Sequence, residues 1–203
     1  MNRQLLPLAL LGLCAAANAA PVTYDIDPTH TFPSFEADHF GGMSVWRGKF
    51  NKTGGKLVID KEGGSGSVDI TIDINSIDYG LDAMNAKARS PELFDAKKYP
   101  KAYYMGTFAG YTNGVPSRVD GELTLHGVTK PLTLTLNSVK CMPHPMLKRD
   151  FCGADAIATL NRDDFGISAG KDWGFKMDVT LRIQVEAVEA AKDKAPGKAK
   201  TKG

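Results

Sequence analysis

At 203 residues, with 25 Lys and Arg against 23 Asp and Glu, the chain carries a formal net charge of +2. That balance leaves no basic footprint for a nucleic-acid partner. The length suits one domain with a real hydrophobic core.

The first segment reads as an export signal. Arg3 supplies a positive start, Leu5 to Leu13 an apolar stretch, and Ala17-Asn18-Ala19 a small-residue cleavage site. The apolar run is too short for a bilayer span, which takes about 20 residues. Leu13 stands before Cys14 where a lipoprotein signal needs a small residue, so lipidation is not expected. Residues 1–19 are therefore expected to be removed, residues 20–189 to form the domain, and the product to reach the periplasm.

The strands follow in chain order. Val22, Tyr24 and Ile26 alternate with Thr23, Asp25 and Asp27 until Pro28 ends the run. Phe35 and Ala37 alternate with Ser34, Glu36 and Asp38. Val45 to Phe50 reads as a strand kinked at Gly48, with Leu57 to Asp60 after Gly54-Gly55. Gly63 to Gly66 turns the chain into Val68, Ile70, Ile72 and Ile74, which alternate with Asp69, Thr71 and Asp73. Asp82 to Arg89 is the helical stretch. Ser90-Pro91 then reads as the N-cap and first residue of a second short helix. Ala102, Tyr104, Gly106 and Phe108 share one face.

Asp120 to Leu136 carries the clearest signal. Val119, Gly121, Leu123 and Leu125 alternate with polar residues, Gly127 to Pro131 breaks the pattern, and Leu132, Leu134 and Leu136 resume it. Period two on both sides of a Gly/Pro turn is a β-hairpin with one dry face and one wet face. Ala154, Ala156, Ala158 and Leu160 share a face, and Phe175 to Val185 alternates against Lys176 to Glu186. Roughly eight strands with short turns make an antiparallel barrel or sandwich. Runs of Ala and Gly on the dry faces favour an interior with room for a small ligand, which a barrel of about eight strands can hold.

Cys141 and Cys152 bracket MPHPMLKRDF, a poor strand or helix, and are expected to form a disulfide at the base of an excursion. A closed loop of that size contributes roughly 3 kcal/mol. A zinc site with His144 is the rival, but structural zinc takes four ligands. Lys192, Lys194, Lys198, Lys200 and Lys202 lie in an Ala, Pro and Gly tail, so residues 190–203 are expected to be disordered. That tail is read as a solvated solubility segment, with transient contact to an anionic membrane surface as the alternative.

No catalytic motif appears: Gly-x-Ser-x-Gly, a P-loop, a dinucleotide fingerprint and a zincin helix are all missing from the sequence. Asp163 and Asp164 point to opposite faces if they lie on a strand, so they do not flank one bond. His30, His39, His126 and His144 form no recognisable metal set. His126 falls on the wet face by parity, and His30 is read as bonding the turn begun by Asp27-Pro28.

Several pieces occur in a telling order. They are Tyr24-Asp25-Ile26-Asp27 with His30, Phe35, His39-Phe40-Gly41, Gly48-Lys49-Phe50 and Ile72-Asp73 with Ser76-Ile77. Ser90 with Phe94-Asp95 and Tyr99-Pro100, Gly121 to Pro131, and Arg162-Asp163-Asp164-Phe165-Gly166 follow. The ordered set resembles the YceI-like family of exported, lipocalin-like polyisoprenoid-binding proteins. The resemblance implies an all-β fold, an extended eight-stranded antiparallel barrel with one or two short helices. It also implies a long apolar ligand such as an isoprenoid quinone, polyprenyl lipid or fatty amide, with no other cofactor and no metal. Where family members commonly carry Arg-Asp and His-Leu, this chain has Met84-Asn85 and Lys87-Ala88, so a polar head contact is not carried over.

The expected function is a non-enzymatic carrier. Its ligand-binding residues are expected on the dry faces: Phe35, Ile70, Ile72, Phe94, Tyr104, Phe108, Leu123 and Leu125. Leu134, Ala158, Leu160, Phe165, Met177, Val179 and Leu181 complete the set. A filled-core interaction protein, and an enzyme using His30 or His39 on a bound lipid, are the alternatives. A homodimer is left open.

Overall fold

The computed structural model describes residues 20–191. The expected export signal and the lysines of the tail lie outside the described residues. Eleven strand segments form one antiparallel sheet. β1 (Val22–Ile26), β2 (Phe32–His39), β3 (Ser44–Phe50), β4 (Thr53–Asp60), β5 (Ser65–Asp73) and β6 (Ile77–Asp78) come first. After helix α1 (Asp82–Arg89) come β7 (Lys101–Ala109), β8 (Arg118–Leu125), β9 (Val128–Pro143), β10 (Asp150–Asn161) and β11 (Asp178–Glu189).

The eleven segments make eight staves, because β2 continues β1, β4 continues β3, and β6 continues β5. Around the ring the order is β1-β4-β5-β7-β8-β9-β10-β11, and β11 pairs back onto β1, so the sheet is closed. This is the eight-stranded antiparallel barrel that the family resemblance implies, and it decides between the barrel and the sandwich that strand alternation left open. Closure leaves that ring without the exposed edges that invite aggregation.

The three interrupted staves break side by side. Register brackets the breaks: Asp25 lies opposite Lys56 and Ser34 opposite Lys49, while Phe50 lies opposite Ile77 and Thr53 opposite Ile72. Each break is repaired by side chains. Glu186 O keeps a backbone bond from Asp27 N at 2.9 Å, and buried Thr31 accepts from Glu186 N and donates its hydroxyl to Glu186 O, both at 3.1 Å, so the ladder is continued by a side chain. Ser76 Oγ accepts from Lys52 N at 2.9 Å, and Asp73 accepts from Asn75 N at 2.9 Å.

Above the breaks, β2, β3 and β6 continue as a branch from β11 that does not rejoin β7, so the barrel flares. The gap is covered by α1 and the turns that follow it. Below the breaks, Tyr24, Ile26, Leu57, Val68, Ala156 and Ala187 are buried together and close the opposite end.

Four local expectations are corrected. Ser90 is the C-cap of α1, donating its N–H to Lys87 O, and residues 91–94 form turns, so no second helix starts at Ser90-Pro91 and α1 is the one α-helix among the described residues. Leu125 pairs with Val128, so the hairpin turn is only His126-Gly127. Both carry positive φ, 53° and 79°, as a two-residue turn with the strands' own twist requires. His126 is accordingly not a wet strand residue. Its ring meets Tyr99 at 4.5 Å, and its Nδ1 donates to Phe165 O at 3.0 Å. Finally, the cysteines do not sit at the base of an irregular excursion. The Cys141–Cys152 disulfide is present, but the two face each other inside the β9–β10 ladder, which runs on to Pro143 and Asp150.

The first break also carries a pH signature. Burial alone would raise the Asp27 carboxyl, but hydrogen bonds from Thr29 and His30 hold it down at about 2. His30 Nδ1 lies 2.8 Å from Asp27 Oδ2, and that bond raises the imidazole above its ordinary 6.5. A raised imidazole stabilises the fold below pH 6.5, and its contribution is lost as pH climbs through the folded value. Asp27 contributes above its ordinary 3.8 and fades as pH falls toward 2. His30→Ala should therefore lower the melting temperature at pH 5 and have a smaller effect at pH 9. Equal effects at both pH values would contradict the pairing.

Candidate ligand cavity

Inward-facing residues of the flared half enclose a cavity of about 610 Å³. That volume lies within the roughly 300–1,000 Å³ of small-molecule sites. Its floor is Tyr104, whose ring lies flat because Gly121 has no side chain: a Cβ there would sit 2.7 Å from the hydroxyl. The hydroxyl reaches Val119 O at 3.2 Å and Leu132 O at 3.0 Å, so the floor presents its ring with its polar atom satisfied. Burial pushes this phenol well above the usual range, and it stays protonated.

The walls are aliphatic. Ile70 and Ile72 of β5, Leu123 and Leu125 of β8, Leu132 and Leu134 of β9, Leu160 of β10, and Val179, Leu181 and Ile183 of β11 all line the space. An aromatic group stiffens the flared side: Phe35 packs on Phe50 at 5.7 Å and on Tyr79 at 5.4 Å, and Phe50 on Phe94 at 5.9 Å. Met84 and Lys87 of α1, with Leu93 and Phe94, cover the gap left by β6. Asn85, in one of the places that depart from the family pattern, faces away from this role. Its amide accepts from Tyr79 N at 2.7 Å and donates to Asp78 at 3.2 Å, fixing the helix to β6.

Polar groups gather at the open end. Arg162 donates from Nη1 to Ile167 O at 2.7 Å and from Nη2 to Ala169 O at 2.6 Å. Burial lowers its affinity for its proton, and nearby Tyr79, partly buried and pushed up to about 12 by desolvation, feels the opposing pull of the guanidinium charge. Lys87 pairs with Glu92. Asp38 accepts from Gly41 N at 2.8 Å and from Lys176 N at 3.0 Å, and these backbone donors hold its carboxyl below the usual range. His39 is stacked on Trp46 at 4.7 Å and meets Phe40 and Phe175 edge-on. His39 lines the cavity without a carboxylate on its ring. His30 has a carboxylate partner but lies outside the lining.

Eleven of the fifteen residues expected to bind ligand line this space: Phe35, Ile70, Ile72, Phe94, Tyr104, Leu123, Leu125, Leu134, Leu160, Val179 and Leu181. Phe108, Ala158, Phe165 and Met177 do not. Phe108 lies over Gly66 near the closed end, and Ala158 is buried in β10. Phe165 is buried in the short 3-10 turn Arg162–Phe165, and Met177 is buried just ahead of β11. Ala158 lies opposite Leu181, which does line the space, so it stands at cavity depth without reaching the cavity. Leu132 and Ile183 were missed although they share parity with Leu134 and Leu181. Trp46, Tyr79, Arg162 and Phe175 reach the site through the flare and the loops, which strand parity does not describe.

Fold and site together define a closed up-and-down β-barrel with an apolar internal cavity at one end. The chain belongs to the YceI-like domain family, which matches residues 24–187. A UPF0312 protein of Pectobacterium atrosepticum is 31% identical over 193 residues, covering 93% of this chain and 98% of that protein. A UPF0312 protein of Vibrio cholerae is 29% identical over 184 residues, covering 89% of this chain and 94% of its own. Among solved structures, BcnA of Burkholderia cenocepacia superposes with a TM-score of 0.63 at 22% identity, covering 80% of this chain and 99% of BcnA. A polyisoprenoid-binding domain from Saccharophagus degradans gives 0.59 at 18% identity, covering 83% and 99%.

Arg162 ties the mouth loop to the end of β10. Arg162→Leu should leave the Ile167 and Ala169 carbonyls without these donors and speed amide exchange across residues 167–170 roughly tenfold. Exchange unchanged from wild type would show that the loop holds itself.

Proposed function

We propose that this protein is a non-catalytic periplasmic container for one long apolar lipid: an isoprenoid quinone, a polyprenyl lipid or a fatty amide. The observation that carries the reading is the aliphatic cavity, sealed at one end by packed core and bordered by polar groups at the other. A tail inserted there gains about 0.8 kcal/mol for each methylene removed from water. The tail points toward Tyr104, and the head lies among Arg162, Lys87 and His39. The naming of the Saccharophagus degradans domain as polyisoprenoid-binding supports the same ligand class.

Export is supported by the residues 1–19 pattern and by a disulfide, a bond that persists in oxidising compartments. The absence of a carboxylate on the ring of cavity-lining His39 favours holding a lipid over acid–base chemistry on it. A filled-core interaction protein would need an interior without this cavity.

Leu181→Arg places a cation against the tail path. In displacement of a fluorescent fatty-acid probe by an isoprenoid quinone, the folded variant should bind at least about tenfold more weakly than wild type. Wild-type affinity in a folded variant would contradict the placement of the ligand in this cavity.

A further inference from the structure

The cavity opens onto an apolar rim that the lipid-container reading does not itself explain. Two loops build it. The β2–β3 turn carries Phe40, 51% exposed, and Met43, 79% exposed. The short 3-10 turn Lys171–Trp173 carries Trp173, 72% exposed, which also lines the cavity. The loops form one platform. Asp38 accepts backbone N–H groups from both, at Gly41 and Lys176, and the Phe40 ring packs 4.7 Å from Phe175. Large side chains left in water on a jointly anchored platform mark an interaction surface.

The charges around the rim narrow the partner. Lys171 is paired with Asp163, and Glu36 holds both Arg47 and Arg182 at 3.0 Å. Asp38 is taken up by backbone, and Asp172 and Lys176 add one charge of each sign. A rim whose charges of both signs are largely paired complements a zwitterionic surface, not a strongly charged protein. Trp173 and Phe175 both line the cavity, and Phe175 packs on Phe40 of the rim. An apolar cargo that left across this rim into water would lose about 0.8 kcal/mol per exposed methylene. The exit therefore suits a partner that is itself apolar beneath its surface. Tryptophan and phenylalanine partition to that bilayer boundary.

We propose that Phe40, Met43 and Trp173 dock the open end of the barrel onto the surface of a zwitterionic phospholipid bilayer, aligning the cavity mouth with the membrane. This rests on the container reading for its purpose, but the docking is measured separately from the cargo. The full exported chain is floated with phosphatidylcholine vesicles in high salt, beside Phe40→Asp/Met43→Asp. Both substituted residues lie outside the cavity lining, and aspartate tolerates the positive φ of 49° at position 40 better than most residues.

Wild type should partition onto the vesicles, and the folded double variant should do so at least about tenfold more weakly. Lipid extracted from the two proteins should be the same. No partitioning by wild type overturns the proposal, as does equal partitioning by the variant. So does binding that requires anionic lipid and disappears when the lysine tail is removed. Concentration-dependent dimers of wild type that the variant lacks, without vesicle binding, would assign the rim to a second copy and overturn it too. Vesicle binding by a protein that carries no extractable lipid and takes up no probe would instead leave the docking standing and sink the container reading.

Discussion

Everything in this barrel depends on how β11 closes onto a first stave that is broken in the middle. The lower part of β11 pairs with β1 through Ala187 to Glu189, and the upper part with β2 through Val179 to Gln184. Between them Asp27 N still donates to Glu186 O at 2.9 Å, after which Pro28 and its turn carry the first stave away from the Glu186 N–H. The hydroxyl of Thr31 accepts from that N–H and donates a second hydrogen bond to the Glu186 carbonyl. A buried backbone N–H left unmet would cost more than one ordinary hydrogen bond contributes. The same repair lets the upper segments diverge without opening the lower ring. Closure and cavity thus have one cause: a sheet that stays paired below three aligned breaks and spreads above them.

The chemistry of the interior follows from that geometry. Where the ring is tight, small residues such as Ala156 and Ala187 fill it to the packing density of a core. Where it flares, even Phe35, Phe50 and Tyr79 do not meet the opposite wall, and space remains. The polar groups bordering that space are largely committed to the protein. The Arg162 guanidinium holds loop carbonyls, Asp38 holds loop amides, and Lys87 holds Glu92. What faces the space is mostly hydrocarbon and aromatic ring, a surface that discriminates by shape and dryness more than by directed bonds.

Much of this was legible in the sequence, for a definable reason. Alternation at Val119 to Leu125 and at Leu132 to Leu136 reports a half-buried antiparallel strand directly, and both staves are found there. The ordered Asp27…His30, Asp73…Ser76 and Arg162 to Gly166 pieces mark the stave breaks and the mouth turn, where side chains replace ladder bonds. What alternation could not convey was depth along the stave. Phe108 has the right parity for the interior but falls toward the tight end over Gly66, whereas Ala158, opposite Leu181, stands at cavity depth and does not reach the space. Nor does local propensity reveal direction: Ser90-Pro91 fits a helix start, yet Ser90 terminates α1. MPHPMLKRDF hid the ends of two strands, because neither its prolines nor its basic residues show a period.

The central claim is that the flared half of the barrel holds a lipid tail. Native mass spectrometry of protein purified directly from its native cells, followed by solvent extraction, tests it most directly. The account predicts a one-to-one adduct released as a single long apolar chain. A bare polypeptide mass, unchanged after incubation with quinones, polyprenyl lipids and fatty amides, would contradict it.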